Sequence, residues 1–508
     1  MAKYVSINEA LALVKSNDYI VTGLGSAEGR EFMTNLHTIA GDVKNVLVSN
    51  CLPMGAYEFM VNPAYKDSFK IDSWFYTPAL RKAQPNGNVS FIFNHLHLAS
   101  FKRLCYRKPD IYVGIASMPD KHGYISLSTS NTYEMAMIKE AKTVILEINP
   151  NAPRTFGDVQ LHLNDVDYVV ECNYPMPEIA DAEPNEKDLI IGKTIASMIN
   201  DGDCIQLGIG GIPNAVAASL MDKKDLGVHT EMLTSGMVKL AKAGVITGKN
   251  KQTHKGKMVA AFAMGTKELY DFIDDNPAVC IMDGAYVNDP HTISQNDNQV
   301  SINSTIEIDL FGQCCSESIG HVQFSGTGGQ ADTAIGAQKS KNGKSIIALY
   351  STAMVKDKAT GERVETSKIV PLLKQGAAVS LSRNDVDYLV TEYGCVSLRG
   401  TSIAERAERI ISVAHPAFRE QIRKEALAIG IIAFAPFLDS FTKSPLLQPA
   451  FKMVLPALFG ALGAGYFIKH GIANHNEDLF YMSVFITISA KTYEELMWRK
   501  QQMTDMLK

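Results

Sequence analysis

The 508-residue sequence predicts an α/β fold made of two tandem copies of one domain, each with a mostly parallel sheet covered by helices. Two observations support this prediction. Short apolar segments alternate with segments of helical spacing, which is typical of parallel strands joined by helical crossovers. Motifs from the first part of the chain also recur in the second part in the same order, at a period as long as a domain.

Three pairs of segments carry the internal repeat. Two of the pairs keep aspartate and glycine at the same spacing, and the third is five residues long, Asn-Asp-Val-Asp-Tyr, without a change. The offset grows from 185 to 189 to 220 positions, as insertions in the second copy would require. The pairs are residues 18–25 with 203–210, 120–123 with 309–312, and 164–168 with 384–388.

The elements follow in order along the chain. Ser6 begins a predicted helix that extends to Val14, with Glu9 completing a capping box. A polar, proline-bearing stretch, residues 175–187, separates the copies, so we predict domains at residues 1–185 and 186–430. The predicted strands are 46–48, 111–113, 144–146 and 168–170 in the first copy, and 260–262, 279–281, 346–348 and 388–390 in the second.

Residues 431–508 form a C-terminal extension that the sequence predicts to be mainly helical and apolar. Its apolar runs, residues 426–438, 454–468 and 479–488, are each shorter than the ~20 residues that span a bilayer, and residues 492–507 form a charged last helix. We therefore expect buried helices or an oligomer interface and no membrane span, with a membrane-associated hairpin as the alternative.

Composition excludes several classes of function. The net charge is only -5 and no basic run occurs, which argues against a nucleic-acid partner. The eight cysteines form no paired motif, so we expect reduced thiols and a cytoplasmic protein. No apolar N-terminal run predicts a signal peptide. The histidines have no metal-ligand spacing, and we predict no metal site.

A glycine turn at residues 208–211 is the strongest candidate for chemistry. It follows a predicted strand, residues 205–207, and precedes a predicted helix, residues 212–221. The next predicted strand, residues 226–229, leads to Glu231. Helix N-termini bind anions, and open α/β sheets bind ligands at their carboxyl edge. We therefore hypothesise that Glu231 is a covalent nucleophile and that the turn holds its target.

Other residues leave alternatives open. The loop of residues 325–330, which includes Gly328 and Gly329, is either a tight turn between strands or a run of N–H donors for a thioester oxygen or pyrophosphate. Glu317 and Glu392 are rival carboxylates. A nicotinamide site is not excluded by pattern alone, although the turn at residues 208–211 lacks the third glycine of a dinucleotide motif.

Many ordered motifs in residues 5–432 resemble the acetyl-CoA hydrolase/transferase family, and within it the 4-hydroxybutyrate and butyrate–acetate CoA-transferases. The segments that carry the resemblance are 208–215, 227–232, 264–272, 316–320, 324–332, 382–388, 391–394 and 415–416. A basic residue expected in this family after the strand at residues 346–348 is absent, and Met354 stands there.

The resemblance implies two duplicated α/β domains, Glu231 as the catalytic glutamate, and coenzyme A as a substrate with no permanently bound cofactor. It implies that coenzyme A binds at Gly208, Ile209, Gly210, Gly211 and Ile212, with further contacts near Ile306 and at Gly329, beside Gly328. We expect the acyl group to lie near residues 74–75 and 95–97.

The predicted function is transfer of coenzyme A from a short-chain acyl-CoA to a carboxylate such as acetate, by a homo-oligomer that we expect to be a dimer. A hydrolase with the same intermediate is the first alternative, in which water replaces the acceptor. A non-enzymatic sensor of coenzyme A or a nucleotide is the second.

Overall fold

The structure, a computed structural model, describes residues 2–357 and 360–432. The chain up to Ile432 forms one compact unit. The helices predicted for residues 454–468, 479–488 and 492–507 lie outside the described residues, as does most of the predicted extension, residues 431–508. Within the described residues, no helix is both long and apolar enough to cross a membrane.

The strands of the described residues, in chain order, are β1 Lys3–Tyr4, β2 Tyr19–Thr22, β3 Val46–Asn50, β4 Phe69–Ser73, β5 Val89–Phe91, β6 Ile111–Ala116, β7 Tyr124–Ser126, β8 Thr143–Ile148, β9 Phe156–Gly157, β10 Gln160–His162, β11 Tyr168–Glu171, β12 Cys204–Leu207, β13 Gly227–Leu233, β14 Met258–Ala263, β15 Val279–Ile281, β16 Gln299–Ser304, β17 Glu307–Asp309, β18 Cys314–Cys315, β19 Ser318–Ile319, β20 Val322–Gln323, β21 Lys344–Ala348, β22 Thr352–Lys356, β23 Arg363–Ser367, β24 Ile369–Val370, β25 Tyr388–Thr391 and β26 Gly394–Ser397.

The α-helices of the same residues are α1 Ile7–Leu11, α2 Arg30–Asn35, α3 Glu58–Val61, α4 Pro78–Ala83, α5 Ala99–Tyr106, α6 Glu134–Glu140, α7 Glu186–Ala196, α8 Gly211–Ala218, α9 Ser235–Lys242, α10 Lys267–Ile273, α11 Gly284–Val287, α12 Pro290–Ser294, α13 Gln330–Lys339, α14 Ile403–Ser412 and α15 Pro416–Ala428.

Two large sheets organise the fold. The first sheet has the order β1-β11-β8-β6-β2-β3-β4-β5, and all its neighbours are parallel. The second has the order β26-β25-β21-β16-β12-β13-β14-β15-β9, and only the β25–β26 pair is antiparallel. Seven consecutive strands, β11 to β5 in the first sheet and β25 to β15 in the second, occur in the same order. The prediction of mostly parallel sheets in an α/β fold is confirmed.

The repeated sequence motifs make the same contacts in the two sheets. Asp120 and Asp309 each accept hydrogen bonds from the backbone N–H groups two and four residues ahead. Asp167 and Asp387 each accept one from the second residue of the neighbouring strand, β8 or β21. The first two aspartates thus stabilise turns and the other two bond to neighbouring strands, at corresponding places of the two halves. These shared contacts give the sequence repeat a physical reason.

The carboxyl edges of the two sheets meet. Ser26, after β2, donates its hydroxyl to the carbonyl of Ala263 at the end of β14, at 3.2 Å. The N–H of Asn131 donates to the carbonyl of Ala261 within β14, at 2.9 Å. One continuous buried cluster contains apolar side chains of both sheets, including Val21 and Ile205. A site at this edge therefore receives residues from both sheets.

Several predicted bounds are corrected. Helix α1 ends at Leu11 because the N–H groups of residues 13 and 14 bond to carbonyls three residues back and not four, and α8 runs over Gly211–Ala218 and not over residues 212–221. Strand β13 continues to Leu233, so Glu231 lies inside the strand and not after it. Strand β9, from the predicted first domain, pairs with β15 of the second sheet. The domain boundary at residues 185 and 186 stays a prediction.

Candidate active site

The carboxylate of Glu231 is at the centre of the candidate site. Strand β13 pairs with β12 only as far as Val228, and its register with β14 skips Glu231 between Thr230 and Met232. Both of these neighbours are buried, whereas Glu231 is partly exposed. The strand therefore presents this carboxylate at the edge of the sheet, at a position where the regular pairing with β12 and β14 is interrupted.

Two groups contact the carboxylate directly. The side-chain amide of Asn288, which follows α11, donates to Oε2 of Glu231 at 3.0 Å. The backbone of Gly329 is the second contact, and its N–H lowers the pKa of the carboxyl. Gly329 lies so close that a Cβ there would be 1.9 Å from Oε2, and a Cβ on Gly328 would be 3.6 Å from Oε1. Only glycine at position 329 allows this approach of backbone to carboxylate.

The surroundings of Glu231 favour a neutral carboxyl more than water does. Burial raises its pKa to about 7; the hydrogen bond from Asn288 works in the opposite direction, the charge of Asp332 raises the pKa further, and the hydrogen bond from Gly329 lowers it. Near neutral pH a large share of the carboxylate is ionised, and it is less solvated than an exposed one. Such a group is suited to covalent attack.

The loop of residues 324–329 is held beside Glu231 by residues that follow β4 of the first sheet. The N–H of Tyr76 donates to the carbonyl of Ser325 at 3.2 Å, and Gly326 packs against Trp74 and Phe75 without room for a Cβ. The guanidinium of Arg81 donates to the carbonyl of Phe324 at 2.8 Å. The loop leads from β20 into α13, so the interpretation as a turn between strands is wrong.

The rival carboxylates have other partners. Glu317 is buried beneath the loop and accepts a hydrogen bond from the hydroxyl of Thr327 at 3.2 Å. Glu392 accepts from the N–H and the hydroxyl of Ser351 and lies 3.1 Å from Lys187. Burial opposes the charge of Glu392, yet these hydrogen bonds leave its pKa below the ordinary value. Each contact supports a structural role.

The glycine turn of residues 208–211 follows β12, the strand beside β13, and so lies at the same edge as Glu231. Gly210 has a φ of 116°, which favours glycine, and a Cβ on Gly211 would lie 2.3 Å from a carboxylate oxygen of Asp188. The first N–H groups of α8 have no partner inside the helix. Ile306 follows β16 on the other side of β12.

A lysine lies near this turn. Lys368 approaches the carbonyl of Thr305 at 3.5 Å and lies 5.8 Å from the ring of Tyr350, whose hydroxyl donates to Asp188 at 2.5 Å. Burial lowers the pKa of Lys368 to about 8. Met354, which stands where a basic residue was expected, is about half exposed on β22. Lys368 therefore supplies a positive charge in this region, from a position in the sequence other than that of Met354.

Comparison with known proteins identifies the family. Residues 1–181 match the family model of the acetyl-CoA hydrolase/transferase N-terminal domain, and residues 265–426 match that of the C-terminal domain. The chain belongs to the acetyl-CoA hydrolase/transferase family. The resemblance predicted from the sequence is therefore confirmed.

Similar members of the family include two named CoA-transferases. The chain is 41% identical to succinyl-CoA:cyclohexane-1-carboxylate CoA transferase of Geobacter metallireducens, over 84% of this chain and 95% of the relative. It is 40% identical to 4-hydroxybutyrate coenzyme A transferase of Clostridium kluyveri, over 83% and 97%. The crystal structure of RipA from Yersinia pestis superposes with a TM-score of 0.78 at 35% identity, covering 85% and 98%. These similarities confirm the prediction of an enzyme of the CoA-transferase class.

The first sheet of this chain contains a position that corresponds to Glu231 in the second sheet. Tyr19 and Cys204 match in the sequence repeat, and they pair with Leu47 and Gly227. Four residues beyond these partners are Cys51 and Glu231. Cys51 is buried, and burial raises the pKa of its thiol, with the charges of Glu134 and Glu231 adding to the rise. The first sheet therefore presents a protonated thiol where the second presents a carboxylate.

The structure brings together Glu231, Gly328 and Gly329, and it places residues 74–75 beside their loop, whereas the acyl site at residues 74–75 and 95–97 stays a prediction. Asn288 and Asp332 were not predicted from the sequence. The Asn-Asp-Pro pattern at residues 288–290 signals a helix start, and Asp289 is indeed the N-cap of α12, but this pattern carries no information about Glu231. Among the described residues, no group of three or more His, Cys, Asp and Glu side chains could hold a metal ion.

Proposed function

We propose that the chain transfers coenzyme A from a short-chain acyl-CoA to a carboxylate acceptor such as acetate, through a thioester formed on Glu231. The observation that carries this proposal is the Glu231 carboxylate with a pKa of about 7, contacted by Asn288 and by the backbone of Gly329. A partly desolvated carboxylate beside amide donors has the two groups that acyl exchange requires, a nucleophile and an oxyanion partner.

The exchange balances without an added reactant. An oxygen of Glu231 attacks the thioester carbonyl carbon, the C–S bond breaks, and the thiolate of coenzyme A leaves, so an acyl–glutamyl anhydride forms. The thiolate attacks the glutamyl carbonyl carbon, and the bond from this carbon to the bridging oxygen breaks. The first acid leaves as a carboxylate with the bridging oxygen and the electron pair of that bond. The product is a glutamyl–CoA thioester. The acceptor carboxylate then attacks this thioester, and the same steps run in reverse to give the new acyl-CoA and free Glu231.

Asn288 and Gly329 supply the hydrogen-bond donors of this scheme. In the resting state they contact the Glu231 carboxylate. When the glutamyl carbonyl becomes tetrahedral, its oxygen carries the negative charge and the same amide donors stabilise it. Removal of one such donor in an acyl-transfer enzyme costs about 100- to 1,000-fold in rate.

The proposed site for coenzyme A is the turn Gly208, Ile209, Gly210, Gly211 and Ile212, with further contacts at Ile306, Gly328 and Gly329. Unpaired N–H groups at the start of α8 favour the pyrophosphate of coenzyme A, and the position of the turn on the strand beside β13 supports this assignment. Lys368, near Tyr350, is the proposed source of a further positive charge.

Transfer is favoured over hydrolysis because the loop of residues 324–329 lies against Glu231 and leaves its side chain only partly exposed. A bound acyl-CoA would close the remaining opening to water, whereas a bound carboxylate acceptor reaches the intermediate from within the site. Loss of acyl-CoA is expected to depend strongly on added acetate. Equal rates with and without acetate would instead identify a hydrolase.

The test of the nucleophile is chemical trapping. Borohydride reduces a glutamyl thioester to an alcohol and releases the thiol, so it should inactivate the enzyme only in the presence of acyl-CoA. Mass spectrometry should locate the changed residue at position 231. Glu231→Gln should bind acyl-CoA but resist borohydride, while Glu317→Gln, a matched control, should be modified as the wild type is. Modification of Glu231→Gln at residue 317 or 392 would refute the assignment.

The remaining parts of the proposal concern the setting. All eight cysteines are free, including adjacent Cys314 and Cys315, which supports a reducing, cytoplasmic compartment. No permanently bound cofactor is proposed, because the exchange moves neither electrons nor a net proton. We also propose a homo-oligomer, a dimer, which a measurement of molecular mass in solution tests.

A further inference from the structure

We propose that His97 and Asp332 form a charged pair that shifts the protonation of Glu231, so that His97, which lies between β5 and α5, acts as a positioning residue for the nucleophile. This inference rests on the proposed function, in which ionised Glu231 attacks the thioester. It adds two residues that do not contact Glu231 and act through its electrostatic environment.

The geometry of the pair is specific. Asp332 lies in the first turn of α13, three residues after Gly329, and its side chain is only 2% exposed. Its Oδ1 accepts a hydrogen bond from Nδ1 of His97 at 2.8 Å, and its Oδ2 accepts one from the backbone N–H of His97 at 3.1 Å. Both oxygens of a buried carboxylate are thus satisfied by one residue from the segment between β5 and α5.

The charges of the two residues have opposite effects on the site. The hydrogen bond to Asp332 raises the pKa of His97, so the imidazolium persists to a higher pH than usual. The negative charge of Asp332 contributes to the raised pKa of Glu231, after burial. A protonated His97 offsets that negative charge. It therefore favours the ionised form of Glu231 that the reaction needs.

Other charged groups face this pair. Nδ1 of His95 is 3.8 Å from Oδ1 of Asp332, beyond hydrogen-bonding distance, and its side chain is 48% exposed. Asp289, the N-cap of α12, raises the pKa of His97, and Lys102 on α5 lowers it, both less than the Asp332 hydrogen bond does. The direct contact with Asp332 is the largest influence on His97. His95 is the control for the hydrogen bond, because it faces the same carboxylate at ion-pair distance but donates no hydrogen bond to it, and its side chain is half exposed to solvent.

The experiment measures the acid limb of the pH profile of kcat/KM for acyl-CoA. Variants are His97→Gln, Asp332→Asn, the double variant and His95→Gln. Loss of the His97 charge should move the limb to higher pH, and loss of the Asp332 charge should move it to lower pH, each by roughly half a unit, as expected for removal of a nearby charge. The double variant should return close to the wild type, and His95→Gln should move the limb less than His97→Gln does, because solvent screens the charge of this more exposed side chain.

A second readout is independent of turnover. Formation of the borohydride-trapped adduct on Glu231, quantified by mass spectrometry at several pH values, should show the same shifts. A structural role for the pair would lower thermal stability and adduct yield at every pH without moving the midpoint. If Asp332→Asn does not fold, His97→Gln against His95→Gln still decides the question.

The outcomes separate the two proposals. An adduct on residue 231 whose midpoint is the same in the wild type and in His97→Gln would overturn the role of the pair and leave the proposed function standing. Wild-type enzyme without any adduct on residue 231 would overturn the proposed function, and this inference with it. A shift with His95→Gln as large as with His97→Gln would also refute the specific role of His97.

Discussion

Replacement of Gly329 by alanine tests the close approach of backbone to carboxylate. The added Cβ would lie 1.9 Å from Oε2 of Glu231 and 2.1 Å from the amide nitrogen of Asn288. Carbon does not approach such atoms closer than about 3 Å, so the carboxylate and the amide must each retreat by about 1 Å. The φ of Gly329 is −102°, a value that alanine adopts without strain, so the perturbation is steric and local.

The magnitude follows from that displacement. A reacting group misplaced by about 1 Å loses roughly 100-fold in rate, and loss of an oxyanion donor costs about 100- to 1,000-fold. We therefore expect Gly329→Ala to lower kcat by about 100-fold or more. Stability should fall by roughly 1–3 kcal/mol at most, the cost of forcing a methyl group into a packed site, because the backbone at this position suits alanine.

Two other glycines provide matched controls for Gly329→Ala. A Cβ on Gly328 would meet Glu231 only at an ordinary contact distance of 3.6 Å, but its φ of +53° makes alanine cost about 1 kcal/mol. Gly328→Ala should thus lose a few degrees of Tm and lower kcat far less than Gly329→Ala does, with its effect on activity confined to KM for acyl-CoA, because Gly328 is a proposed contact of coenzyme A. Gly41 has open space around it and no positive φ, so Gly41→Ala should change neither quantity.

The assay combines acetate-dependent acyl-CoA turnover with thermal melting of all three variants. Gly329→Ala should lose about 100-fold or more in kcat with a modest fall in Tm, and Gly328→Ala should show a comparable fall in Tm with a much smaller loss of kcat. Wild-type turnover in Gly329→Ala would refute the argument that this backbone contacts the reactive carboxylate. Equal losses of kcat in Gly329→Ala and Gly328→Ala would show that the effect comes from the fold and not from the contact with Glu231.

Three further predictions concern buried charge. Burial raises the pKa of Glu28, which accepts a hydrogen bond from Tyr57, to about 8, so the folded protein holds a proton that the unfolded chain releases above its ordinary pKa of 4.5. The free energy of unfolding should therefore fall between about pH 4.5 and pH 8. The Tm of Glu28→Gln should rise relative to that of the wild type over this range, and a difference independent of pH would contradict the prediction. Arg103 pairs with Asp72 at 2.8 Å in a largely buried cluster, and Arg103→Ala should cost about 3–5 kcal/mol in denaturant unfolding; a loss under 1 kcal/mol would show that the pair is solvated. Glu392→Gln should keep the trapped adduct on its usual residue while lowering Tm, and loss of the adduct would assign Glu392 to the chemistry.

The sequence predicted the strands of the fold well because their burial is local and dense. Residues 279–281, for example, were predicted as a strand and form β15 with the same bounds. The bounds of elements at the site were predicted less well. Strand β13 extends four residues beyond the prediction at residues 226–229, because its pairing with β14 continues the strand through polar residues that a hydrophobic pattern does not identify.

The site divides in the same way. Glu231 and the glycines at 328 and 329 could be predicted from the sequence because glycine runs and an acid at a strand end are local signals. Asn288, His97 and Asp332 could not, since each is an ordinary polar residue until the fold brings it to the carboxylate; His97 and Asp332 are 235 positions apart.

By itself, the sequence determined the α/β class, the repeat, the family resemblance and the candidate nucleophile, because each depends on residues close together in the chain or on a pattern that recurs along it. Only the tertiary structure decided that the carboxyl edges of two sheets meet, that the corresponding position in the first sheet is Cys51, and that Asn288 and Gly329 contact Glu231. The physical reason is that packing between distant segments sets the solvation and the neighbours of a charge, and these set its pKa and reactivity.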